Sequence, residues 1–77
     1  MADPVVVDAR GHRCPVPTLR LRRALEAALP GSQVLLIADD PLARIDVPHF
    51  TTGLGASLVA VTDEADGAIH FLVSKAS

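Results

Sequence analysis

The chain has 77 residues, seven Lys or Arg against nine Asp or Glu, a net charge of −2, and 49% hydrophobic residues. That length supports one domain, 1–77, with one core, and the composition excludes a disordered or low-complexity chain. No apolar run approaches the ~18 residues of a membrane span, and Met1-Ala2-Asp3-Pro4 lacks the features of an export signal, so a cytoplasmic protein without membrane association is expected.

Val5-Val6-Val7, closed by Asp8, reads as a short buried strand followed by a polar loop that turns at Gly11. From Pro15 to Leu29 the period becomes helical, with Leu21, Ala24, Leu25, Ala28 and Leu29 on one stripe. Pro15 suits the first helical position, which would make Cys14 the N-cap, and Pro30-Gly31 stops the helix. Val34 to Ala38 is a continuous apolar run, as expected of a central strand parallel to the first.

Asp39-Asp40-Pro41 reads as an N-cap before a proline, and Pro48 predicts that the second helix is broken into a short turn and a helix over 47–54. Leu58 to Thr62 and Ala68 to Val73 read as strands of a hairpin turning at Asp66-Gly67, with Ile69, Phe71 and Val73 on one face. The order β-α-β-α-β-β predicts an α/β (α+β) two-layer sandwich: a four-stranded mixed sheet with two helices on one face.

Cys14 is the only cysteine, so neither an internal disulfide nor a structural zinc site is expected, and its chemistry is that of a free thiol. Arg10, Arg13, Arg20, Arg22 and Arg23 crowd the segment around it, while all nine acids lie outside residues 10–23. Such a basic block suits an anionic substrate or an acidic partner surface, and it is also what an ordinary solvated helix face looks like. A helix N-terminus together with Arg10 and Arg13 predicts a lowered thiol pKa. Pro15 and Pro17 rigidify the turn, and Val16, Leu19, Arg20 and Arg23 lie off the core stripe as an apolar and basic docking patch.

His12, His49 and His70 lack ligand spacing with Cys14, so no metal and no cofactor is expected. Asp39 and Asp40 resemble a carboxylate pair, and helix capping is their simpler reading. The basic segment holds no aromatic and the two in the chain, Phe50 and Phe71, offer no stacking platform, so direct nucleic-acid binding is not expected.

Asp8-Ala9-Arg10-Gly11-His12-Arg13-Cys14-Pro15-Val16-Pro17 resembles the Asp-x-x-Gly-x-x-Cys-Pro-x-Pro signature of the TusA-like (SirA-like) sulfur carriers. Ala38-Asp39-Asp40-Pro41 and Asp46-Val47-Pro48-His49-Phe50 resemble that family's second segment, so the likeness covers almost the whole chain. It implies a sulfurtransferase-type carrier in which Cys14 accepts sulfane sulfur as a persulfide from a donor protein, a cysteine desulfurase or rhodanese, and relays it to an acceptor protein. Tasks of the family include tRNA thiolation, molybdenum cofactor maturation and sulfur oxidation. Arg10, Gly11, Arg13, Pro15, Val16, Pro17, Leu19 and Arg20 become the expected motif and partner-binding residues. Two positions depart from the pattern: His12 stands where an apolar residue is usual, and Thr51 where some members carry a second cysteine, which rules out a resolving disulfide. Two competing readings keep the same residues: a regulatory protein-interaction module with an unreactive cysteine, and a small metallochaperone.

Overall fold

The computed structural model describes residues 3–76. β1 is Val5–Asp8, α1 Val16–Ala27, β2 Gln33–Ala38, α2 Ala43–Gly53, β3 Ser57–Asp63 and β4 Ile69–Ser74, in the expected order. The strands form one mixed sheet in the order β1-β2-β4-β3. β1 pairs parallel to β2, with Val7 opposite Leu36, and β4 is antiparallel to both β2 and β3.

Alternation along β2 and β4 decides the core: Val34, Leu36 and Ala38 are buried beside Ile69, Phe71 and Val73. Leu21 and Leu25 of α1 and Ala43 and Val47 of α2 close over that face, as expected of apolar stripes that must find a partner layer. The α1 stripe is shorter than its period predicts. The helix ends at Ala27, so Leu29 lies beyond it and is 76% exposed. In place of a further turn, the Lys75 Nζ donates to the Ala28 carbonyl at 2.6 Å and closes this end against β4.

The expected break at Pro48 does not occur. α2 runs through it from Ala43 to Gly53, because the proline removes one backbone donor while Ala43, Val47 and Thr51, spaced by four, are all buried along one face. The Thr51 hydroxyl donates to the Val47 carbonyl at 2.7 Å, and the Thr52 hydroxyl to that of Pro48 at 3.1 Å. The β3–β4 hairpin turns where Asp66-Gly67 predicts, with Gly67 at φ 90° and the Asp66 carboxylate accepting the Ala68 N–H at 2.9 Å. A bulge between Leu58 and Ala60 shifts the β3 register.

The opposite face of the sheet carries a row in register across all four strands, Val6, Leu35, Leu72 and Ala60. The expectation of a buried first strand is corrected: β1 lies at the edge of the sheet, Val5 and Val6 are 53% and 58% exposed, and only Val7 packs against the core. The parallel pairing of β1 with β2 sets the geometry of one end of the sheet. Two parallel neighbours release their C-terminal connections at the same end, so the loop leading to Cys14 and the loop starting at Asp39 must meet there.

Candidate functional site

At that end the β1–α1 loop is held by its own turns, with His12 N–H on the Ala9 carbonyl and Val16 N–H on that of Arg13, and by its neighbour. Gly11 adopts φ 82°, a conformation that suits glycine, and points its N–H at the Asp39 carboxylate, 3.0 and 3.1 Å from its two oxygens. Three residues on, the Cys14 N–H donates to Asp40 Oδ2 at 2.8 Å. The other Asp40 oxygen accepts the Leu42 N–H at 3.0 Å, and the Asp40 carbonyl accepts the Ala43 N–H at 2.9 Å, which forms the turn into α2. The expected helix N-cap is corrected: Leu42 takes the N-cap of α2, and Asp40 closes only the turn that precedes it. Its second oxygen, and all of Asp39, serve the cysteine loop instead, a role that has no signal in the residues beside them.

Cys14 is half-buried. It borders a cleft of about 440 Å³ formed by Gly11, His12 and Arg13 on one side and Asp39, Asp40, Pro41 and Leu42 on the other. The expected N-cap geometry is corrected: Pro15 takes the N-cap, α1 begins at Val16 with Pro17 in its first turn, and Cys14 stands one residue outside. The peptide bond between Cys14 and Pro15 is cis.

The expected lowering of the thiol pKa is also corrected. Burial pushes the Cys14 thiol up, and the nearby Asp40 and Asp46 carboxylates push it further. Of Arg10, Arg20 and Arg13 around the cysteine, the first two are engaged elsewhere and the third acts on a carboxylate. Arg10 turns back along β1, where its Nε and Nη2 donate to the Asp8 carboxylate at 3.0 and 2.8 Å and hold that carboxyl down to about 2. Arg20 Nη1 donates to the Asp8 carbonyl at 2.8 Å, tying α1 to the end of β1. Arg13 stays at the cleft, where its charge, after the N–H groups of Cys14 and Leu42, helps to keep Asp40 ionised. Proximity in sequence to Cys14 thus pointed to cations, while the groups that bear on the sulfur in space are carboxylates from β2–α2.

The other expected residues divide by exposure. Pro15, Val16 and Leu19 lie at the surface, Val16 at 37% and Leu19 at 50%, whereas Pro17 is fully buried and packs beneath the helix start. A second groove of about 250 Å³ runs beside the cysteine between the two helices, lined by Pro15, Thr18, Leu19, Asp46, His49 and Phe50. The Thr18 hydroxyl donates to the Pro15 carbonyl at 2.7 Å and fastens the turn from inside. Thr51 is buried within α2. His70 lies on β4, with Nδ1 3.5 Å from Glu64. No group of three or more His, Cys, Asp or Glu among the described residues is arranged to hold a metal ion, and no helix among them is long and apolar enough to cross a membrane.

Comparison with known proteins places this geometry in company. The family model described as Sulfurtransferase TusA matches residues 5–75. The sulfur carrier protein TusA of Pseudomonas paraeruginosa is 36% identical over 78 aligned positions, covering 99% of both chains. An Archaeoglobus fulgidus protein provisionally named a sulfur carrier protein is 39% identical over 67 residues, 87% of each chain. Among solved structures, a SirA-like protein from Desulfitobacterium hafniense superposes with a TM-score of 0.83 at 24% identity, over 95% of this chain and 99% of that one, and so shares the fold.

Proposed function

The chain belongs to the sulfurtransferase TusA family, and from that premise we propose that it is a cytoplasmic sulfur carrier that receives sulfane sulfur on Cys14 from a donor protein and passes it to an acceptor protein. One observation carries the reading to a residue: the only cysteine of the chain sits where both C-terminal connections converge, its backbone N–H gripped by Asp40.

The chemistry is a thiol–persulfide exchange. The Cys14 thiol gives up its proton, and its Sγ attacks the terminal sulfur of a donor persulfide. A new S–S bond forms as the S–S bond of the donor breaks, and the donor leaves as a thiolate that takes up a proton. Cys14 ends as the persulfide, and delivery repeats the exchange with Cys14 as leaving group. No external oxidant enters, because the transferred sulfur arrives already bonded to sulfur.

Pro15 and Pro17 hold the turn that presents the sulfur, and Gly11 allows the loop to reach Asp39. Exposed Val16 and Leu19, with exposed Arg20 next in sequence and Arg13 at the cleft, provide an apolar and basic contact surface for donor and acceptor. Arg10 supports this surface indirectly through its pair with Asp8.

Incubation with a cysteine desulfurase and radiolabelled cysteine, followed by non-reducing electrophoresis, tests the reading. Label that stays on the carrier, is released by reductant and is missing from Cys14→Ser is the expected result. Equal labelling of the Cys14→Ser variant would refute it.

A further inference from the structure

Asp39 and Asp40 are adjacent in sequence, yet each carboxylate reaches back across 28 or 26 residues to the same loop, one at Gly11 and the other at Cys14. Their assignments differ. Asp39 holds the far side of the loop through the Gly11 N–H, whereas Asp40 holds the N–H of the cysteine itself. The turn before α2 needs only the Asp40 oxygen that meets Leu42. The remaining oxygen, 2.8 Å from the Cys14 nitrogen, goes beyond what that turn requires.

We propose that Asp40 is a positioning residue for sulfur transfer, fixing the cysteine backbone with one carboxylate oxygen while keeping a negative charge beside the sulfur. The inference rests on the carrier reading and deepens it. The two effects act in different directions on reactivity: the bond fixes where the sulfur stands, and the charge keeps the proton on it. Charged and titratable groups facing this position are Asp39 and Asp40 from the β2–α2 connection, Asp46 from α2, and Arg13 and His12 from the loop of the cysteine itself. Asp40 raises the thiol pKa, second only to burial, and Asp40 is itself held in its ionised form by the two N–H bonds and by Arg13. The free carrier thus keeps its sulfur in the less reactive thiol form, and the encounter with a partner must assist proton removal.

The test separates the bond from the charge, using Asp40→Asn, Asp40→Ala and, for comparison, Asp39→Ala. The first readout is the pH profile of iodoacetamide alkylation without any partner. The second is the rate of persulfide loading from a desulfurase. Asp40→Asn and Asp40→Ala should both move the alkylation midpoint to lower pH, and Asp39→Ala should leave it near that of the wild type. Loading should fall on the order of tenfold or more in Asp40→Ala, as expected when a reacting atom loses its placement, with Asp40→Asn faster than Asp40→Ala because an amide oxygen still accepts the Cys14 N–H. An unmoved midpoint in both Asp40 variants overturns the proposal. So does an Asp39→Ala shift as large as that of Asp40→Asn, which would make loop loosening the cause. Undiminished loading by Asp40→Ala overturns the positioning role. A wild type whose alkylation midpoint responds to Asp40 in this way but which takes up no sulfur would instead defeat the carrier reading and leave the electrostatic assignment standing.

Discussion

The helix-covered face of the sheet and the cysteine end of the molecule are built by opposite means. Phe71, Leu36, Val34 and Leu21 are fully buried and hold the two layers together through apolar contact, which is strong in sum and indifferent to the exact partner. At the cysteine end the loop carries exposed Arg10, Gly11, His12 and Arg13 and is placed by directed bonds from two carboxylates. The first region depends on apolar side chains that fill its volume. The second depends on directed bonds. Stability is concentrated in one and reactivity in the other.

Substitutions should expose that division, and the largest effect is expected in the core. Phe71→Ala should cost about 3–5 kcal/mol in denaturant unfolding, since it removes a fully buried ring from the core cluster. The folded fraction should keep the wild-type alkylation profile. A loss below about 1 kcal/mol would mean that this face does not carry the fold.

Gly11→Ala addresses the other region. A Cβ there meets open space, so its cost is purely conformational, about 1–2 kcal/mol for an alanine at positive φ, measurable as a lowered midpoint of unfolding. An unchanged midpoint would show that the loop can leave that conformation freely.

A smaller effect concerns pH. Because the folded thiol pKa is raised, the contribution of Cys14 to stability is complete below the ordinary thiol value and is lost as pH rises through the folded one. Wild type should therefore lose slightly more stability than Cys14→Ser between neutral and alkaline pH, and its alkylation midpoint should lie above that of an unstructured cysteine peptide. A midpoint below the peptide would reverse the electrostatics of the site.

Thr51→Val should produce the smallest change, about 1 kcal/mol or less, because the hydroxyl bonds only within α2 and the isosteric side chain keeps the core filled. A large loss, or any loss of sulfur loading, would connect this position to the cysteine end.

The same division explains what could be read from the sequence. Apolar runs and periodicity locate the strands and α1, because the core follows from spacing that is local along the chain: Ile69, Phe71 and Val73 alternate, and Leu21 and Leu25 lie one turn apart, whereas the capping and breaking residues of the second helix place it at 47–54 and miss its first turn. Pro48 misled for a complementary reason. A local rule against proline inside helices is outweighed by burial of Ala43, Val47 and Thr51, which becomes visible only when the sheet beneath α2 is in place.

At the site, Cys14 and its prolines were legible as a motif, but the charge around the sulfur was not. Arg10 is close in sequence and is bonded to Asp8, while Asp40 and Asp46 are distant in sequence and bear directly on the thiol. The clue within the sequence is topological. Strands 1 and 2 are expected to be parallel neighbours, so the residues that come after each of them, Cys14 and Asp39-Asp40, have to share one end of the sheet.

Intact-protein mass spectrometry of the carrier after incubation with a cysteine desulfurase and cysteine tests the central claim most directly. Wild type should gain one sulfur, about 32 Da, reversibly with reductant, and Cys14→Ser should gain none. A wild type that gains no mass from any donor, or a variant that gains it equally, would contradict a sulfur carrier that works through Cys14.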